Sequence, residues 1–368
     1  MKIDDKTSHN SPSLRFPEFT GEWERCVLGD VLEFSNTRIN SSELNSGNYV
    51  STENILQNFQ GIVKARSIPE DTNVMAFSCG NILLSNIRPY LKKVWKATFN
   101  GGCSSDVFVL QANSNIDADY LHYVVANDKF IGFVMNGAKG VKMPRGDKNQ
   151  MKTYSLSLPS IKEQRKISKF LSFLDERIAV QNRLIDRLQS LMIGIAQKIA
   201  HSNKPNVRIS DCLECSSSAL QESEVNKTGK YPVYGANGIV GYIDKYHTQN
   251  EAIYIIKDGS GVGGVSYVTG KCSSTGTLNI LQAKNGHSLK YLYYLLKVFN
   301  FVPYKTGMAI PHIYFKDYGK AKIFCPAYPE QLEYAKLLSS IDGNLRIALD
   351  SLKNFNLQKQ YLLRHMLI

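Results

Sequence analysis

Ser160-IKEQRKISKFLSFLDERIAVQNRLIDRLQSLMIGIAQKI-Ala200 is the stretch that decides the architecture. Ile167, Leu171, Leu174, Ile178, Gln181, Ile185, Leu188, Met192, Ile195 and Ile199 follow one another in steps of four and three, and only Gln181 is polar. That is an a/d heptad seam, the pattern of a helix built to pair with another helix. Pro159 precedes it, and Ser160 and Glu163 stand in capping-box spacing, so the start is marked too. At ~1.5 Å per residue the helix is about 60 Å long. It cannot bury its own stripe and needs a partner.

The partner is written 167 residues later, where Pro159, Glu163 and Gln164 recur as Pro326, Glu330 and Gln331. The seam recurs in phase as Tyr334, Leu338, Ile341, Leu345, Ala348, Leu352, Phe355, Lys359, Leu362 and Met366. Asp342 repeats Asp175 beside it. Gln181, facing the small Ala348, and Lys359 read as polar breaks that set the register.

The text between the helices repeats as well. Leu28-Gly-Asp30-Val-Leu-Glu33-Phe-Ser35 is echoed by Ile209-Ser-Asp211-Cys-Leu-Glu214-Cys-Ser216, Cys103-Ser-Ser105 by Cys272-Ser-Ser274, Tyr120 to Val125 by Tyr291 to Leu296, and Pro144 by Pro311. Short β-like runs at 107–110 and 156–158 alternate with Gly/Asn turns, and 118–130 reads as one helical run. The fold class expected is α+β: two pseudo-twofold-related globular domains separated by two long antiparallel helices in a coiled coil. The expected boundaries are a disordered polar tail (1–13), a first globule (14–158), a first helix (159–204), a second globule (205–325) and a second helix (326–368). Halves that mimic a symmetric dimer suit a target with two separated elements, as dimeric DNA readers do.

Composition narrows the class. The chain has 368 residues, 43% of them hydrophobic, enough for two or three domains with real cores. No apolar leader or membrane-length run occurs, so a soluble, cytoplasmic protein without membrane contact is expected. The seven cysteines are odd in number and scattered, which suits reduced core thiols. The formal charge of +12 favours a polyanionic partner.

Several motifs resemble one family, the specificity subunits (HsdS) of type I restriction–modification systems. They are Leu14-Arg-Phe-Pro-Glu-Phe19 with Trp23 and Leu28-Gly29-Asp30, then Leu158-Pro159-Ser-Ile-Lys-Glu163-Gln164 and Cys325-Pro326-Ala-Tyr-Pro-Glu330-Gln331 at the helix entries. Tyr231-Pro-Val-Tyr-Gly-Ala-Asn-Gly238 with Gly241-Tyr242 looks like the start of that family's second recognition domain. The resemblance implies two target-recognition domains, each reading one half of a bipartite site in double-stranded DNA. It implies helices that space the domains and dock two methyltransferase (modification) subunits. It also implies a translocase-nuclease (restriction) subunit. No cofactor is expected on this chain; S-adenosylmethionine, ATP and Mg belong to the partners.

Tests for catalysis on this chain come back negative. An adenine methyltransferase needs an Asn/Asp-Pro-Pro-aromatic loop for the extruded base, and no two of the twelve prolines are adjacent. The one Asp-x-Lys triplet, Asp4-Asp5-Lys6, lies in the tail, and the seven histidines show no zinc-ligand spacing. Gly259-Ser-Gly261-Val-Gly-Gly264 matches a dinucleotide fingerprint, but Val265-Ser-Tyr-Val-Thr269 after it reads as a strand rather than the required helix, so a glycine hairpin or a DNA-facing loop is expected. Cys212-Leu-Glu-Cys215 has metal spacing without a second pair. Its first-copy equivalents are Val31 and Phe34, so buried hydrophobes are expected.

DNA recognition is then the remaining chemistry. Residues 86–152 hold ten Lys/Arg against five Asp/Glu, and 205–325 hold thirteen against eight. The candidates in the first globule are Asn86, Arg88, Tyr90, Lys92, Lys93 and Lys96, together with Lys139, Lys142, Arg145 and Lys148. In the second they are Lys257 and Ser260, with Lys305, Thr306, His312, Tyr314 and Lys316. Arg88 or Arg145 suits guanine O6/N7 and Asn86 or Asn149 adenine N6/N7; lysines suit phosphates. Lys162, Arg165, Lys166, Lys169, Arg177, Arg183 and Arg187 make the first helix basic outside its seam. Two rival readings are a coiled-coil scaffold without a DNA role and a stand-alone methyltransferase or nuclease.

Overall fold

The structure, a computed structural model, describes residues 11–367. Most of the expected tail, including Asp4-Asp5-Lys6, lies outside the described residues. The chain divides into two compact units, one running to Val180 and resuming at Leu352, the other Gln181–Ser351.

In the first unit, strands Leu32–Phe34, Val107–Ala112, Ile82–Ser85 and Val94–Lys96 lie side by side in that order, all antiparallel. A second sheet takes the order Arg38–Asn40, Asn73–Phe77, Gly101–Cys103, Tyr49–Val50, and Glu24–Val27 pairs with Ser155–Leu158. Ser13 is not loose: its hydroxyl hydrogen-bonds with His365 Nδ1 at 2.8 Å, and the Leu14 N–H donates to His365 O. The core joins Trp23, Leu28, Phe108, Tyr120 and Phe130 to Ile167, Leu171 and Leu174 of one long helix and Leu362 and Met366 of the other.

The second unit repeats the plan. Leu213–Ser217, Leu278–Ala283, Glu251–Ile256 and Val265–Thr269 form its four-stranded antiparallel sheet, and the register of Leu213 on Ala283 reproduces that of Leu32 on Ala112. The glycine-rich stretch is the hairpin between the last two sheet neighbours, and Phe301 packs within 3.1 Å of where a side chain on Gly263 would begin.

The long helices are Ile161–Ala200 and Tyr328–Met366. In the first unit Asp175 meets Lys359 at 2.5 Å and Arg177 lies over the Phe355 ring, so the two helices run antiparallel. In the second unit Gln181 Nε2 donates to Ala348 O at 2.9 Å. The seam residues Ile167, Leu171, Leu174, Ile185, Leu338, Ile341 and Leu345 are buried, while Ile178, Leu188, Leu352 and Phe355 are half-buried.

Two local expectations need correction. The helical run at 118–130 is two helices, Ala118–Val125 and Asp128–Asn136. The first ends at Ala126, and Asn127 sits extended after it and accepts the Lys129 N–H, capping the start of the second. The capping box at Ser160 is half made. Ser160 Oγ accepts the Glu163 N–H, but the buried Glu163 carboxylate grips the Arg15 guanidinium at 2.7 and 2.8 Å instead. The Gln164 side-chain amide accepts from Asp117 N and donates to Pro159 O, tying the cap of Ala118–Val125 to the long helix. Gln331 does the same with Ser288 N and Pro326 O.

Candidate nucleic-acid interface

In the first unit the two candidate loops are one structure. Residue 87 bridges to 145, and 139 bridges to 145. The Arg88 N–H donates to Pro144 O, and the Lys139 and Arg145 N–H groups each donate to the other's carbonyl at 2.9 Å. The backbone of residues 139–145 is therefore a short hairpin laid along residues 86–88. Arg88 and Lys92 flank the turn Pro89–Leu91 in the left-handed region, at φ 51° and 55°, which is unusual for non-glycine residues and holds the loop in a tight bend.

The second unit makes the same arrangement. Residue 258 bridges to 312, and 306 bridges to 312; the Gly259 N–H donates to Pro311 O, and Thr306 and His312 exchange N–H···O bonds at 2.9 and 2.7 Å. Gly140 and Gly307 open the hairpin tips at φ 93° and 86°, where a side chain would be strained. At Gly307 it would also strike Ile310 O at 2.4 Å.

Side chains on the two frameworks differ. In the first unit Arg88, Tyr90, Lys139, Lys142 and Arg145 are exposed. Arg145 is braced by Asp106 at 3.0 Å, and Lys139 by Asp147, whose carboxyl that bond holds below the usual range. Other candidates are engaged within the fold. Lys93 donates to Thr52 O, with burial lowering its pKa, Lys92 pairs with Asp128, and Lys96 pairs with Asp119. Lys148 lies over Phe34 and Phe108. Asn86 is half-buried, and its Oδ1 has no partner among the described residues. These four lysines are therefore committed to contacts within the fold. In the second unit Ser260, Lys305, Thr306, Tyr314 and Lys316 are exposed, Lys257 is half-buried, and His312 Nδ1 meets Asp258 at 2.8 Å.

Charge spacing alone does not reveal an apolar feature of the same loops. Val141 and Met308, both fully exposed, occupy equivalent hairpin tips, followed by the exposed Met143 and Ile310. The signal is present as Gly140-Val-Lys-Met-Pro144 and Gly307-Met-Ala-Ile-Pro311, 167 residues apart. Side chains of this kind contact thymine methyls or wedge between base steps.

Known proteins share this architecture. The family model described as "Type I restriction modification DNA specificity domain" matches residues 20–190 and again 202–354. The specificity subunit of the type I restriction enzyme EcoDI of Escherichia coli is 29% identical over 126 residues, covering 33% of this chain and 28% of that protein. A Mycoplasma pneumoniae chain named as a putative type I specificity subunit is 23% identical over 278 residues, 70% of this chain and 71% of its own. The crystal structure of the type I S subunit from M. genitalium has the same fold, with TM-score 0.69 at 17% identity over 97% of this chain and 99% of that one. A chain from a structure of type I complex assembly aligns with TM-score 0.54 over 93% of this chain and 96% of that one, at 17% identity. Among the described residues no helix is long and apolar enough to cross a membrane. With two copies of its domain accounting for both units, the chain belongs to the type I restriction–modification DNA specificity family.

Proposed function

We propose that this chain selects DNA for a type I restriction–modification complex, each unit reading one half of an interrupted site in duplex DNA. One observation carries the reading: the same two-loop backbone recurs in both units with different side chains on it. Asn86, Arg88, Val141 and Arg145 stand where the other unit has Lys257, Gly259, Met308 and His312. A fixed frame with exchanged base-reading groups is suited to two unlike half-sites. Lysines such as Lys142, Lys305 and Lys316 hold phosphates, while Arg145, braced by Asp106, offers a fork to guanine.

The long helices set the spacer between half-sites and offer docking faces to two modification subunits. Methyl transfer with S-adenosylmethionine, and ATP- and Mg-dependent translocation and cleavage, belong to modification and restriction subunits, and this chain performs no turnover. The test is mapping of methylated adenines in host DNA with the gene intact and deleted. An interrupted motif that disappears on deletion supports the reading. Unchanged methylation, together with DNA association that ignores salt, would favour a scaffold instead.

A further inference from the structure

Cys212, His287 and Cys325 are far apart in the chain and meet in the second unit. The two Sγ atoms and an imidazole nitrogen all lie within 4.8 Å of one another. Both cysteines are buried and His287 is half-buried. His287 Nδ1 is itself shielded from solvent and has no hydrogen-bond partner among the described residues.

All three backbones are held by bonds that do not depend on any ligand. Lys284 N–H donates to Cys212 O at 2.9 Å. Asn206 clamps Cys325 from both sides, its Nδ2 donating to Cys325 O and its Oδ1 accepting the Cys325 N–H, each at 2.8 Å. His287 directly precedes Ser288, the cap of Leu289–Lys297, which Gln331 fixes to the long helix.

The internal repeat supplies the comparison. Val31 is the first-unit equivalent of Cys212, and Leu158, before Pro159, is that of Cys325. Ile116, which precedes the Gln164-held cap Asp117, is that of His287. Val31 and Ile116 are buried core residues, and Leu158 packs on the same core. One half thus fills this junction with three apolar side chains, and the other fills it with three metal-ligating ones. Apolar packing alone gives no reason for a half-buried imidazole with a solvent-shielded, unpaired nitrogen at such a point.

We propose that Cys212, His287 and Cys325 bind a thiophilic divalent cation, with Zn2+ the ion this donor set suits best. Tetrahedral zinc takes thiolate at about 2.3 Å and imidazole at about 2.0 Å, so the three donors need only a small contraction. Two thiolates balance the ion's charge, two protons leave for solvent, and a water takes the fourth position. The ion would staple the start of the second globule, the Leu289–Lys297 helix and the entry to the second long helix. It stabilises that unit and requires nothing of the DNA-reading loops.

The test uses the full-length reduced protein, prepared without a metal-affinity tag, stripped with a chelator and titrated with Co2+ and then Zn2+. One equivalent of Co2+ per chain is expected to give thiolate charge-transfer and tetrahedral d–d bands that Zn2+ abolishes, with a higher Tm for the second unit. The variant Cys212→Val/His287→Ile/Cys325→Leu, which copies the first unit's own core, is expected to keep its circular dichroism and lose the bands. Wild-type protein that gives no charge-transfer band at stoichiometric Co2+ would overturn the proposal, and this result does not depend on whether the variant folds. So would bands that persist in the folded variant, or a Cys212–Cys325 disulfide in anaerobically purified protein.

Discussion

The two units share their backbone plan and differ in where they place charge. In the first, Glu163 is buried against Arg15 and Asp175 receives Lys359 and the Tyr123 hydroxyl. In the second, the equivalent Glu330 is exposed and accepts the Tyr334 hydroxyl, while Asp342 pairs loosely with Arg346 at 3.7 Å within its own helix. The glutamine clamps, by contrast, are the same in both. Shared backbone hydrogen bonds hold the repeat together, and the ionic and ligating side chains are each half's own. The largest consequence is a difference in how the halves respond to losing a charge.

Glu163→Ala strands the largely buried Arg15 guanidinium and is expected to destabilise the first unit by about 3 kcal/mol. Glu330→Ala, on an exposed group, is expected to change stability by less than about 0.5 kcal/mol. Denaturant titration of both variants measures the contrast, and equal effects would break it.

At the loops, Arg145→Ala is expected to weaken binding to the cognate site by about 1–3 kcal/mol, or roughly fivefold to 150-fold, and to relax base preference in one half-site only. His312→Ala is expected to do so in the other half-site, with a smaller loss. Selection on randomised DNA reads both, and a change spread over both half-sites would sink the one-unit, one-half-site assignment.

The remaining contrast is titrational and shows only under acid. His122 is half-buried in the first unit, and its solvent-shielded Nδ1 has no hydrogen-bond partner among the described residues; Tyr293 stands at the same place in the second. Burial, reinforced by Lys359 and Lys96 and opposed by Asp175 and Asp119, lowers the His122 pKa from 6.5 to about 4. Its folded pKa lies below the unfolded value, so the unfolded chain takes up the proton first as pH falls. The first unit therefore loses stability between about pH 6.5 and 4, by at most about 3 kcal/mol, and regains it above that window. His122→Tyr is expected to flatten this acid limb in thermal melts, leaving the second unit's response unchanged.

Heptad spacing and the 167-residue offset were enough to read the long helices, their pairing and the duplication of the domain. Periodicity missed the break at Asn127, because a single capping side chain starts a second helix inside a continuous apolar pattern. It also could not sort the cations: Arg145 and Lys93 look alike in a basic loop, and only packing sends one outward and the other toward Thr52 O.

What the sequence alone determined is whatever local repetition encodes, namely helix period, repeat length and the absence of a methyltransferase loop. The tertiary structure alone decided which distant residues meet. The hairpin at 139–145 lies along 86–88, and Cys212 meets His287 and Cys325, because strand register and the glutamine clamps fix those encounters. Spacing along the chain carries no trace of a contact whose geometry is set by hydrogen bonds elsewhere in the fold.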